Sequence, residues 1–115
     1  ARYGALAVFY SLVHSLLEEY YWRWFVFGQL RQFIGIAAAA VLSSLGFMAH
    51  HVILVGSYMD HWWTTLVFSL SVAVGGFVWA WLYHQSRSII GPWLSHLCVD
   101  AGLMIVGYDM MFGAA

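Results

Sequence analysis

The sequence predicts an all-α integral membrane protein, a bundle of about four transmembrane helices, and three observations carry that prediction. The first is composition: 63% of the chain is hydrophobic and 8% is charged, against roughly 25% charged residues in soluble domains. The second is arrangement. The apolar residues fall in four runs, each meeting the roughly 20 residues that cross a ~30 Å hydrocarbon core. The third is where the few charges sit. Glu18, Glu19, Arg23 and Asp100 lie inside the runs, and an ionised side chain near the bilayer centre costs roughly 2.5–3.5 kcal/mol on insertion scales. Such residues face a protein interior or a wet cavity. A length of 115 residues is one unit, 1–115, and no more.

In chain order, the first run spans Tyr3 to Phe27 and carries His14, Glu18, Glu19 and Arg23 towards its end. Gly28 to Phe33, with Arg31, reads as a polar connection. The second run, Ile34 to Tyr58, opens with IAAAAVLSSLG, a small-residue surface suited to close helix packing in lipid, and then reaches FMAHH. SYMDHWWTT reads as an interfacial turn whose Trp62 and Trp63 match the aromatic belt. The third run, Leu66 to Tyr83, holds no charge; its Gly75-Gly76 pair permits close approach or a bend. His84 to Ser88 is the next loop. The fourth run starts at Pro92, well placed in a first helical turn, and extends to Met111 through His96 and Asp100. The chain starts at Ala1, not Met, which leaves room for upstream helices. Its first run ends in charges, unlike the cleavage site of a signal peptide.

The charge pattern also excludes partners. There is no Lys, and a net charge of −1 provides no basic patch for nucleic acid; the expected surroundings are the lipid bilayer. One cysteine, Cys98, forms no internal disulfide and no paired-cysteine metal site. Arg31 and Arg87 fall on connections that share a side, which the positive-inside rule makes cytoplasmic, with both termini outside.

Three of the four runs carry polar residues at the spacing of one helical face. Glu19 and Arg23 are four apart and can pair. Glu18 lies about 100° around from Glu19 and so points elsewhere, without a local cation. Phe47 and His51 share a face, as do His96 and Asp100. Brought together, these stations supply a carboxylate base, two imidazoles and a second acid, which water activation and oxyanion stabilisation require. The apolar third run contributes nothing comparable.

EEYYWR, FMAHH and HLCVD resemble the three motifs of the CAAX protease and bacteriocin-processing family (CPBP, or ABI): EExxxR, FxxxH and HxxxN/D. They occur in that family's order, each on its own helix, from Glu18 to Asp100. The resemblance implies a CAAX-protease-like intramembrane endopeptidase acting on a peptide or a membrane-associated protein substrate. It implies that Glu18 activates water with help from His51, and that His96 and Asp100 stabilise the oxyanion or help hold a metal. Glu19, Arg23 and Phe47 are then structural support. Where the prenyl-protein protease has Asn in the last place, this chain has Asp100; bacterial relatives allow either, and a bacterial inner (cell) membrane is the expected location. An Asp donates to an oxyanion only when protonated. A zinc ion on His51, His96 and Asp100, with an open position for water, is the metal-dependent version. In the metal-free version Glu18 alone takes the proton.

Bland roles compete for several of these residues. Glu19 and Arg23 read as an interhelix clamp, His50 as a packing or interfacial neighbour pointing about 100° from His51, and His14 as a polar neighbour of Glu18. His61 and His84 read as solvated turn residues, and Cys98 as small packing. Two further functions remain open from the residues: a non-catalytic scaffold or bacteriocin-immunity protein of the same fold, and a bis-histidine haem protein using His51 and His96.

Overall fold

A computed structural model of the chain describes residues 1–113. Those residues are helical with short breaks and contain no strand, which is what lipid demands, because a helix satisfies its own backbone groups. Three helices have the length and hydropathy of membrane spans: Ile36–Gly56, Trp62–Ser86 and Ile90–Gly113. Before them in the chain comes an N-terminal rod over residues 2–34, so the three spans are the second, third and fourth helices. Its α-helical turns, Arg2–Val8, Ser15–Glu19 and Gly28–Ile34, alternate with wider π-helical ones, Phe9–His14 and Tyr20–Phe27. At 1.5 Å per residue the rod is about 50 Å long, and the molecule measures 53 × 30 × 16 Å. The turn that bears both glutamates is therefore flanked by π turns, features often found beside functional sites.

The boundaries differ from the sequence reading in three places. Gly28 to Phe33 is helix, not a connection: Gln32 bonds back to the Gly28 carbonyl (3.1 Å) and Arg31 lays its guanidinium over Phe27 and Tyr83. The chain instead turns at Gly35, whose φ of 81° and ψ of 163° suit a glycine and little else. Trp62 and Trp63 open the third helix and are not in the turn, which is confined to residues 57–61. His84 lies in that helix's last turn, not in a loop. The helix ends where Arg87 takes a left-handed conformation and donates its N–H to the Tyr83 carbonyl. Arg31 against Tyr83, one turn from Arg87, puts these two arginines at one end of the bundle. Pro92 falls in the first turn of Ile90–Tyr108, as its missing N–H favours.

Polarity is inverted relative to a soluble domain. Large apolar side chains from Leu6 to Phe112 are exposed, whereas Glu19, Arg23, His96 and six other polar or charged residues are buried. In lipid this is the stable arrangement, because apolar groups gain nothing by leaving hydrocarbon and polar ones do. The second and third helices pack through Ala39, Ala40, Ser43 and Ser44 against Gly76 and Ala80. The rod's first half lies on the fourth helix, with Tyr3 donating to the Met104 carbonyl (2.6 Å) and Trp93 to that of Leu12 (3.1 Å). Its second half meets the other two helices through Trp22–Phe47 and Phe27–Tyr83 ring contacts.

Gly76 shows how tight the second contact is. A Cβ there would stand 3.2 Å from the Phe47 ring and 3.5 Å from both the Ser44 Cα and an Arg23 nitrogen. We expect Gly76→Leu to force the helices apart and lower the unfolding temperature in detergent, since overpacking costs about 1–3 kcal/mol or more. Gly75→Ala, which meets only ordinary contact with the Trp79 ring at 3.4 Å, should be tolerated. Equal stability of the two variants would show that Gly76 is not a packing contact.

Candidate active site

The site is built around the His96 imidazole, which enters from the fourth helix between the two glutamates of the rod. Its Nδ1 lies 2.7 Å from Glu19 Oε1. A carboxylate only accepts, so Nδ1 carries a proton and donates it. Its Nε2 faces Glu18 Oε2 at 3.4 Å and Asp100 Oδ2 at 3.5 Å. The expectation that Glu18 and Glu19 point to different places is therefore corrected. They leave the rod 100° apart, but the two nitrogens of one inserted ring face opposite ways, so both carboxylates meet the same imidazole.

Glu19 also faces Arg23, with Oε2 to Nε at 3.2 Å and both side chains buried. The N–H is not aimed at the oxygen, and neither Nε nor Nη2 of Arg23 has a hydrogen-bond partner. The contact is thus an ion pair without hydrogen-bond geometry. The guanidinium is held instead between aromatic faces, its carbon 4.6 Å from the Phe47 centroid and 5.1 Å from that of Trp79, where a buried cation gains from the ring quadrupoles. Glu19 and Arg23 form the pair expected of them, and Glu19 adds a bond to His96 that the clamp reading lacked.

Glu18 is held more loosely. One carboxylate oxygen faces His96; the other faces His14 at 3.7 Å and His50 at 4.0 Å. His51, assigned from the sequence as its helper, donates from Nδ1 to the Phe47 carbonyl (2.9 Å), which leaves Nε2 free. Its ring packs on Phe47 at 4.4 Å and lines a cavity of about 240 Å³ with His96, Asp100, Trp79 and Gly75. Glu18 reaches His96 but does not line this cavity, which His51, His96 and Asp100 share, so His96 links Glu18 to the open space. Cys98, expected as packing, is exposed.

These polar residues fall within a family match. A family model described as type II CAAX prenyl endopeptidase, Rce1-like, matches residues 2–102. The chain belongs to this family. The match starts in the rod and ends just past Asp100, so the Rce1-like region contains all three polar stations. At the family level the protein is a CAAX-type intramembrane protease. No curated protein and no solved structure matches the chain.

Within this Rce1-like frame the donors expected for zinc can be tested for fit. Among the described residues no three His, Cys, Asp or Glu side chains are gathered closely enough to hold an ion. His51, His96 and Asp100 line one cavity without closing on a common point, so this arrangement does not fit a metal. His96 presents both nitrogens to carboxylates, which also suits it poorly to axial haem ligation.

Two contributors were missed from the sequence. The exposed His50, not the half-buried His51, brings its imidazole towards Glu18; the tandem histidines were the only signal, and adjacency on a helix does not announce which one meets Glu18. Trp79 comes from the apolar third helix and stacks on His96 with centroids 4.0 Å apart and planes 12° from parallel. Nothing in the uncharged third run marked it.

Proposed function

We propose that the protein is a glutamate-dependent intramembrane endopeptidase in which Glu18 is the general base. Glu18 takes a proton from water, the hydroxide adds to the scissile carbonyl, and Glu18 returns the proton to the leaving amine as the C–N bond breaks. His96, held by Glu19 at Nδ1 and acting as the imidazolium, offers Nε2–H to the developing oxyanion, and Asp100 in its protonated form offers a second donor. His51 keeps Nε2 as an acceptor on the cavity side, where it can take a hydrogen bond from a substrate backbone N–H. What supports the reading above all is the His96 clamp: one imidazole fixed by Glu19 and facing Glu18 and Asp100 on its other edge.

The substrate we infer is the end of a membrane-anchored protein. A groove of about 460 Å³ between the rod and the fourth helix, lined by residues such as Ala7, Leu12, Ala101 and Met104, begins one residue past Asp100. Such a groove suits the lipid-like part of the substrates that the family's description names. The location we infer is a cell membrane, with water reaching Glu18 from the side of His14 and the exposed His50. The deciding experiment compares protein termini across the proteomes of cells carrying the wild type and Glu18→Ala. Termini present only with the wild type would name the cleaved bond; identical sets would defeat the peptidase reading.

The metal-free route makes its own prediction. Protein dialysed against a strong chelator should keep its hydrolytic rate and carry well below one zinc per chain. Rate lost on chelation and regained on adding zinc would establish the metal-dependent route, with His51, His96 and Asp100 as the ligands to test.

A further inference from the structure

We propose that Trp79 is a positioning residue for the His96 imidazole, an inference that rests on the peptidase reading of the site. The polar contacts of His96 all lie at its ring edge: Glu19 on one side, Glu18 and Asp100 on the other. Edge contacts alone leave a problem. The last side-chain torsion of histidine is broad and roughly two-fold, and with three carboxylates around the ring, a flip trades one set of partners for another. A flipped ring would turn Nδ1 away from Glu19 and take the donor from the reacting side. What prevents a flip is bulk above the plane, because a rotating ring must sweep through it.

Trp79 supplies that bulk. Its indole lies parallel to the imidazole, 12° from coplanar at a centroid distance of 4.0 Å, and both side chains are buried. Two further contacts hold the indole itself. Its Nε1–H donates to Ser95 Oγ at 3.1 Å, on the residue next to His96, and the Arg23 guanidinium stands 5.1 Å from its ring. Its six-membered ring packs over Gly75, 3.4 Å from where a Cβ would be. The order is thus Arg23, Trp79, His96: the cation that pairs with Glu19 also touches the ring that holds the imidazole Glu19 binds. Trp79 acts through His96 and takes no proton.

Trp79 also lines the 240 Å³ cavity, so the competing role is a wall that touches substrate. Kinetics separate the two. With Trp79→Phe an aromatic face remains, and kcat should fall about threefold; with Trp79→Leu it should fall about tenfold or more at unchanged KM, since small misplacements of a reacting group are costly. A raised KM with unchanged kcat would make Trp79 a substrate wall and overturn the proposal. So would full kcat in folded Trp79→Leu.

A second readout needs no substrate. In carbon-labelled protein the His96 ring signals, identified by their loss in His96→Gln, should be shifted upfield by the indole. They should relax towards ordinary values in Trp79→Leu and less so in Trp79→Phe. This arm stays legible if no hydrolysis is found, so failure of the peptidase reading and failure of the stack are distinct results. Should Trp79→Leu not accumulate, Ser95→Ala carries the test: freeing the indole should move or broaden the His96 signals at nearly unchanged unfolding temperature. Signals identical to the wild type in that variant would overturn the proposal.

Discussion

Glu18→Gln should fold and unfold like the wild type while its turnover falls by ~10²-fold or more, the usual scale for loss of a general base. Gln keeps the size and polarity of Glu and removes only the proton acceptor. The structural side of the expectation rests on distances. Glu18 stands 3.4 Å from His96, 3.7 Å from His14 and 4.0 Å from His50, none of them a short bond whose loss would strand a partner. The Glu19 carboxylate also lies against His96, so removing the Glu18 charge relieves repulsion as well as losing attraction. Thermal unfolding in detergent and hydrolysis of the substrate found in the terminus survey measure the two halves separately. If Glu18→Gln stays active while Glu19→Gln is folded but dead, the glutamate roles are reversed. If both remain active, the protein is no glutamate-dependent protease.

Arg23→Ala should show the opposite pattern, with little folded protein and activity falling largely in proportion to it. Arg23 is 1% exposed and Glu19 fully buried. Breaking such a pair by removing one partner typically costs about 3–5 kcal/mol, because the remaining charge is left in a low-dielectric setting. Against a net stability of about 5–15 kcal/mol, that is a large share. Arg23→Lys restores the charge but not the planar group that lies between Phe47 and Trp79, so recovery should be partial. Glu19→Ala removes the acceptor for His96 as well as the partner of Arg23. Its activity per folded molecule should therefore fall further than that of Arg23→Ala. Normal yield and unfolding of Arg23→Ala would show that the pair is no structural clamp.

Several of these residues are legible in the sequence alone. The pair Glu19–Arg23, the shared face of Phe47 and His51, and that of His96 and Asp100 follow from a four-residue spacing on one helix. All three recur in the structure as contacts. The small residues from Ala37 to Ser44 announced a packing face, and Gly76 announced the approach that meets it. Loop edges were less legible. Gly28 and Gly35 look alike in the sequence, and only the conformation of Gly35 shows which one turns the chain.

By itself the sequence determined an all-helical membrane chain, the three polar stations and their order. These are properties of single helices, where backbone geometry fixes which side chains share a face. Tertiary structure alone decided which stations meet. It turned Glu18 and Glu19 onto opposite edges of His96, brought His50 nearer than His51 to Glu18, and set Trp79 from the uncharged helix against the imidazole. Each of those facts depends on how far a helix is rotated about its own axis and how closely it packs against its neighbours. That rotation is settled by contacts between residues as far apart in the chain as Glu19 and His96, so no local spacing encodes it.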